Sequence, residues 1–110
     1  MKLNSSKHGE VNLVQVAGRL DANSSPELEK ELVNLLESGE KNFIIDLAEL
    51  DYISSVGLRV LLMAAKKAKT SNGKVVLNSL REHVLEVFKI AGFTAIFPVF
   101  ANREEALENF

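Results

Sequence analysis

The sequence has no cysteine, so neither a disulfide framework nor a thiolate metal site is available to it. Its two histidines, His8 and His83, are not clustered as metal ligands would be. The six glycines are scattered singly, and neither Gly-x-x-x-x-Gly-Lys-Ser/Thr nor Gly-x-Gly-x-x-Gly occurs, which removes the common phosphate-cradling loops. Neither sign of charge dominates. Thirteen Lys and Arg stand against fifteen Asp and Glu, a net charge of −2, so nothing electrostatic points to nucleic acid or to anionic lipid. Long apolar runs are also missing: Leu58 to Ala65 is interrupted by Arg59 and falls far short of the roughly 20 residues a membrane helix needs. Met1 to Ser6 carries no apolar stretch before a cleavage site, so no signal peptide is read and the expected location is the cytoplasm.

What is present suits a globular fold. The chain has 110 residues, 46% apolar and 25% charged, with no repeat, low-complexity linker or shift in composition. One domain spanning residues 1–110 is expected, burying about 65% of its unfolded surface in one core.

Strand and helix patterns alternate along the chain. Val11 to Val16 is β-branched and short, and Gly18 is read as its stop. Leu3 to Lys7 is a candidate edge strand paired with it through a turn at His8-Gly9. Asp21 to Glu27 is a dense helix start: Pro26 as the first helical residue makes Ser25 the N-cap, whereas a Ser24–Glu27 capping box shifts the cap to Ser24. Leu28, Leu32, Leu35 and Leu36 then form one helical face ending at Gly39. Asn42 to Leu47 reads as a central strand, and Ala48 to Ile53 as a linker. From Leu58 a helix runs through Leu61, Leu62, Ala65 and Ala68, with Lys66, Lys67 and Lys69 suiting the negative end of its dipole. Lys74 to Asn78 is a further strand, and Val84, Val87, Phe88 and Ala91 mark a third helix closed by Gly92. Phe97 to Phe100 is a last strand, placed at an edge because Pro98 cannot donate to a ladder. Asn102 caps a short final helix carrying Ala106 and Leu107. The order implies an α/β fold: a mainly parallel or mixed sheet of four to five strands with about four helices.

In such sheets, binding groups collect beyond the carboxyl ends of the strands. Two junctions there are rich in hydroxyls and carboxylates: Arg19 to Ser25, and Asp51 to Leu58. Ser55 falls at or near the N-cap of its helix, where unpaired N–H groups and the dipole favour an anion such as a phosphate. Gly57 lacks a Cβ and would let another molecule approach closely. The plainer alternative is that Ser54 or Ser55 only caps the helix and Gly57 is incidental.

An enzyme is not indicated. The hydrolase elbow needs Gly-x-Ser-x-Gly, and Ile53 occupies the first glycine position. His8 in a surface turn and His83 on a solvated helix face offer no base. Glu27, Glu29 and Glu31 are spread round a helix among Lys30 and leucines, and the cluster Lys66, Lys67, Lys69 and Lys74 reads as dipole complement and solubility.

Three anchor segments, with a further one late in the chain, are together similar to the STAS domain family, and specifically to its stand-alone bacterial anti-sigma factor antagonists. Val16-Ala17-Gly18-Arg19-Leu20-Asp21 resembles the family's strand ending in Gly-x-Leu/Ile-Asp. Ile45-Asp46-Leu47 followed by Leu50-Asp51-Tyr52-Ile53 resembles its central strand and the approach to the site. Ser54-Ser55-Val56-Gly57-Leu58 resembles its Asp-Ser-Ser/Thr-Gly-Leu signature, and Val87 to Phe93 its closing helix. The resemblance spans about Val11 to Ala106.

It implies a non-enzymatic protein without a cofactor, whose partner is an anti-sigma factor that is also a serine kinase. That partner binds the unmodified antagonist and releases its sigma factor. It phosphorylates a serine, here Ser55, to break the complex, and a PP2C-type phosphatase restores it. The implied contact residues are Arg19, Asp21, Asn23 and Ser24 at one junction, and Ser54, Ser55, Val56, Gly57 and Leu58 at the other. Two positions depart from the signature: Ser54 stands where Asp is common, which makes it a rival acceptor, and Val56 where Ser or Thr is common. The second reading within the family is a cytosolic subunit regulating a membrane transporter.

Overall fold

The computed structural model describes residues 1–110. A hairpin opens the fold: β1 (Lys2–His8) runs antiparallel to β2 (Val11–Leu20), with Lys2 opposite Ala17 and His8 opposite Val11. Then come α1 (Ser25–Glu37), β3 (Asn42–Asp46), β4 (Leu50–Ile53), α2 (Ser55–Thr70), β5 (Lys74–Asn78), α3 (Glu82–Ile90), β6 (Val99–Phe100) and α4 (Arg103–Leu107). A 3-10 turn at Phe93–Ala95 joins α3 to β6. The sheet order is β1-β2-β3-β5-β6, with β4 paired only to β2. All pairings except β1–β2 are parallel, as strand–helix–strand crossovers require. No helix is long and apolar enough to cross a membrane.

Alternation along the strands divides the core. Val14, Val16, Phe43, Ile45, Val75 and Leu77 face the layer that supplies Leu28, Leu32, Leu61, Ala64, Val84 and Phe88 from α1, α2 and α3. Val11, Leu13, Ile44 and Val76 face the other way, covered by Ala106 of α4. This is why Phe43 to Ile45 is apolar throughout, as the centre of a strand buried on both faces must be.

Several expectations are corrected. The sheet has six strands rather than four to five, and the supposed linker Ala48 to Ile53 contains β4. Gly18 does not stop β2. It sits at φ +91°, a left-handed conformation that glycine adopts without steric cost, and the pairing register shifts there. The strand therefore bends and continues to Leu20, pairing first with β3 and then with β4. At the start of α1 the cap position is Ser24, and Pro26 is the second helical residue rather than the first. The capping box does not form, because Ser24 has helical backbone angles and its Oγ is engaged elsewhere. The His8-Gly9 turn lies one residue later, at Gly9 and Glu10. At the far edge β6 is only Val99–Phe100; Pro98 precedes it, and its carbonyl accepts from the Leu77 amide of β5 at 2.9 Å.

Candidate functional site

The bend at Gly18 assembles the site. Beyond it, Arg19 pairs with Tyr52 and Leu20 with Ile53, and the Ser54 amide donates to the Leu20 carbonyl at 2.9 Å. The two hydroxyl-rich junctions, thirty residues apart in sequence, thus become neighbours at the carboxyl ends of β2 and β4.

At the first junction the polar groups are turned on one another. Asp21 Oδ1 accepts from the backbone amides of Asn23 (3.0 Å) and Ser24 (3.1 Å), and Ser24 Oγ lies 3.2 Å from it. Ser24 Oγ also lies within bonding distance of the Asp21 amide (2.9 Å) and donates to the Arg19 carbonyl (2.7 Å). Hydrogen bonds to the charged form hold the Asp21 carboxyl below its ordinary range; the Ser24 amide contributes most, with the nearby Arg19 charge a smaller aid. Ser25 is wholly buried and its Oγ has no hydrogen-bond partner. Asn23 is exposed at the tip of the turn. The Arg19 guanidinium lies 4.2 Å from the centre of the Tyr52 ring and 3.9 Å from the Asp21 carboxylate. Such exposed contacts contribute about 1 kcal/mol or less each, so they orient Arg19 more than they stabilise the fold.

At the second junction Ser54 is the N-cap, with extended backbone angles and its Oγ accepting from the Gly57 amide at 3.3 Å. Ser55 is the first residue of α2. It is exposed, and its hydroxyl makes no hydrogen bond inside the protein. The dipole of a 16-residue helix points its positive end at this residue. Val56 is half-buried.

Gly57 and Leu58 lie underneath. A Cβ on Gly57 would come within 2.9 Å of both Ile53 Cγ1 and Leu20 Cγ, so the missing side chain serves close packing of α2 on the ends of β2 and β4. That corrects the reading of Gly57 as an opening for an approaching molecule. Leu58 is only 8% exposed and belongs to the core. The exposed portion of the predicted set is therefore Arg19, Asn23 and Ser55, with Asp21, Ser24, Ser54 and Val56 partly covered.

Four residues make contacts here that the sequence reading did not assign to them. Tyr52 is 41% exposed beside Arg19. Asp51 is ion-paired with Arg81, whose Nε also donates to the Ala48 carbonyl at 3.0 Å. Nε2 of His83 lies 2.6 Å from the Asp51 carbonyl. A carbonyl oxygen only accepts, so that nitrogen carries the proton and has no lone pair to offer. These bonds pin the start of α3 against β4. The signal that would have exposed them is weak: β4 has only four residues, and its buried-exposed-exposed-buried pattern lacks strand alternation.

With this geometry in place, the comparisons with known proteins fall into one group. The STAS domain model matches residues 2–106. BtrV of Bordetella bronchiseptica, which bears the name of an anti-sigma factor antagonist, is 42% identical over 110 residues, covering 100% of this chain and 95% of that protein. The anti-sigma-B factor antagonist of Bacillus subtilis is 33% identical over 95 residues, covering 86% of each chain. Among solved structures, the Bacillus anti-sigma factor antagonist SpoIIAA shares the fold. Its unphosphorylated form gives a TM-score of 0.86 at 18% identity, covering 98% of this chain and 95% of that one. Its phosphorylated form gives 0.79 at 17% identity, covering 98% of each chain. The match over nearly the whole length, on a sheet and junctions of the expected kind, places this chain in the STAS domain family.

Proposed function

We propose that this chain is an anti-sigma factor antagonist that acts through binding, and that phosphorylation of Ser55 switches the binding off. The observation that carries the reading is the state of two adjacent hydroxyls. Ser54 Oγ is held by the Gly57 amide, while Ser55 Oγ is exposed and free of hydrogen bonds at the positive end of α2. Ser55 is thus the better acceptor of the two. The names of the two relatives support the binding role, and the fold is one that exists with and without phosphate.

In this reading the partner is an anti-sigma factor that is also a serine kinase. It binds the unmodified chain across Arg19, Asn23, Ser55 and Val56, over a floor formed by Asp21, Ser24, Ser54, Gly57 and Leu58. A PP2C-type phosphatase removes the phosphate in the cytoplasm. No catalytic step belongs to this chain.

The energetics need no refolding. A phosphate brings about −1.5 to −2 charges at neutral pH. The chain itself tolerates it, because the first turn of α2 is an anion-favouring position. The cost falls on the interface, where a doubly charged group must be desolvated against a packed surface. A few kcal/mol there is more than a hundredfold in affinity.

The test is binding of the cognate anti-sigma factor by the wild type and by Ser55→Asp, measured calorimetrically. The wild type is expected to bind and Ser55→Asp to lose about a hundredfold or more. Full-affinity binding by Ser55→Asp would count against the switch. Stable co-purification with a transporter ATPase in place of any anti-sigma factor would favour the transporter reading.

A further inference from the structure

The distribution of charge along the chain is uneven in a way the site has not used. Residues 52–81 contain six cations and no carboxylate, while the remaining eighty contain seven cations against fifteen carboxylates. The centre of the basic stretch is α2, which carries Arg59, Lys66, Lys67 and Lys69 and no acid. All four are exposed, and none makes an ion pair. The helix dipole explains lysines in the last turns but not Arg59 in the second, where a cation is disfavoured.

These charges line up with Ser55. Ser55, Arg59, Leu62 and Lys66 recur at helical spacing and share one face of α2. Val56 and Leu62, both half-buried, belong to neither core cluster. Leu62 and Lys66 form a ridge between two shallow depressions. One, of about 310 Å³, is lined by Arg59, Met63 and Lys67. The other, of about 560 Å³, has Ala65, Ile96 and Pro98 in its lining and Lys69 and Lys74 among its cations. The central line of the face therefore carries Arg59 and Lys66 on either side of Leu62, and the apolar carbon of Met63, Ala65, Ile96 and Pro98 lies in the depressions that flank it.

We propose that this face of α2 is a docking surface for an acidic, amphipathic segment of the partner protein, running down the helix from Ser55. The inference rests on the reading above that the chain binds an anti-sigma factor, and it assigns that partner's chemistry. Charge complementarity selects the occupant: four unpaired cations beside exposed apolar carbon suit carboxylates alternating with apolar side chains. An anionic membrane is disfavoured, since the acidic remainder of the chain would be repelled by it. The arrangement also gives the switch a direction. A phosphate on Ser55 stands one helical turn from Arg59 and opposes an acidic occupant at the head of the stripe.

The probe is the cognate anti-sigma factor, titrated against the wild type, the double variant Lys66→Glu/Lys67→Glu and the control Lys30→Glu on the exposed side of α1. Urea unfolding confirms that each variant folds. The double variant is expected to bind about tenfold more weakly and with a flatter dependence on salt, while Lys30→Glu matches the wild type. If the wild type binds no anti-sigma factor, the functional reading itself fails and this inference falls with it. If the wild type binds and the double variant keeps the same affinity and salt slope, this inference alone is overturned. It is equally overturned if Lys30→Glu loses as much. It is also overturned if the lysines prove to govern only binding to phosphatidylserine vesicles, or only self-association in sedimentation, with affinity for the anti-sigma factor unchanged.

Discussion

Two serine pairs, Ser24-Ser25 and Ser54-Ser55, each stand where a strand gives way to a helix, and the fold treats them in opposite ways. In the first pair Ser24 is consumed by the turn, bonded to Asp21 and Arg19, and Ser25 is sealed in the core. In the second, Ser54 caps α2 and Ser55 is left outside with its hydroxyl unengaged. The difference lies in the residues that follow. Ser25 is buried with Leu28 on the inward side of α1, whereas at α2 it is Gly57 and Leu58 that face inward and Ser55 that stays exposed. A hydroxyl at a junction is thus a functional candidate only where its neighbours take over the structural duties.

That contrast can be broken most severely at Gly57. Gly57→Ala should destabilise the protein by about 1–2 kcal/mol, because the overpacking cost of about 1–3 kcal/mol outweighs the helical preference for alanine. Urea unfolding measures it, and a neutral result would mean that Leu20 and Ile53 yield easily.

The second pair is separated next. Ser54→Ala should cost about 1 kcal/mol as a lost N-cap, while Ser55→Ala should stay within about 0.5 kcal/mol of the wild type. Equal losses would show that both hydroxyls hold the helix. In the first pair, Ser25→Ala removes a buried hydroxyl without a partner and should raise stability by up to about 1 kcal/mol, seen as a higher urea midpoint.

The smallest effect concerns Asp21. Its folded carboxyl titrates below the ordinary aspartate value, so its stabilising contribution is present above that value and is lost as pH falls through the lowered one. Asp21→Asn should therefore be slightly less stable than the wild type at pH 7, and the gap should close below about pH 4. A gap unchanged down to pH 2 would remove the charge from the account.

Where periodicity was long, the sequence was legible. The leucine face of α1, the apolar run of β3 and the Asn102 cap of α4, whose side chain accepts from the Glu105 amide at 2.9 Å, lie where they were expected. The hairpin of β1 and β2 was legible as well. What escaped depended on partners distant in sequence. Gly18 carries the local signature of a stop, and only the presence of β4 turns it into a bend. β4 is too short to show a period, and the Arg19–Tyr52 pair depends on its register. Gly57 stands in the site's own signature yet packs inward, because which side of a helix start faces the core is decided by Leu20 and Ile53 from other strands. The uneven charge of residues 52–81 was open to inspection from the start. It gained meaning only once α2 put Arg59 and Lys66 on one face with Ser55.

The central claim is that the free hydroxyl of the second pair is the one modified. The most direct measurement is incubation of the chain with ATP and its cognate anti-sigma kinase, followed by mapping of the phosphate by tandem mass spectrometry in the wild type, Ser54→Ala and Ser55→Ala. The account predicts phosphate on Ser55 in the wild type and in Ser54→Ala, and none in Ser55→Ala. Phosphate on Ser54, or undiminished labelling of Ser55→Ala, would contradict it.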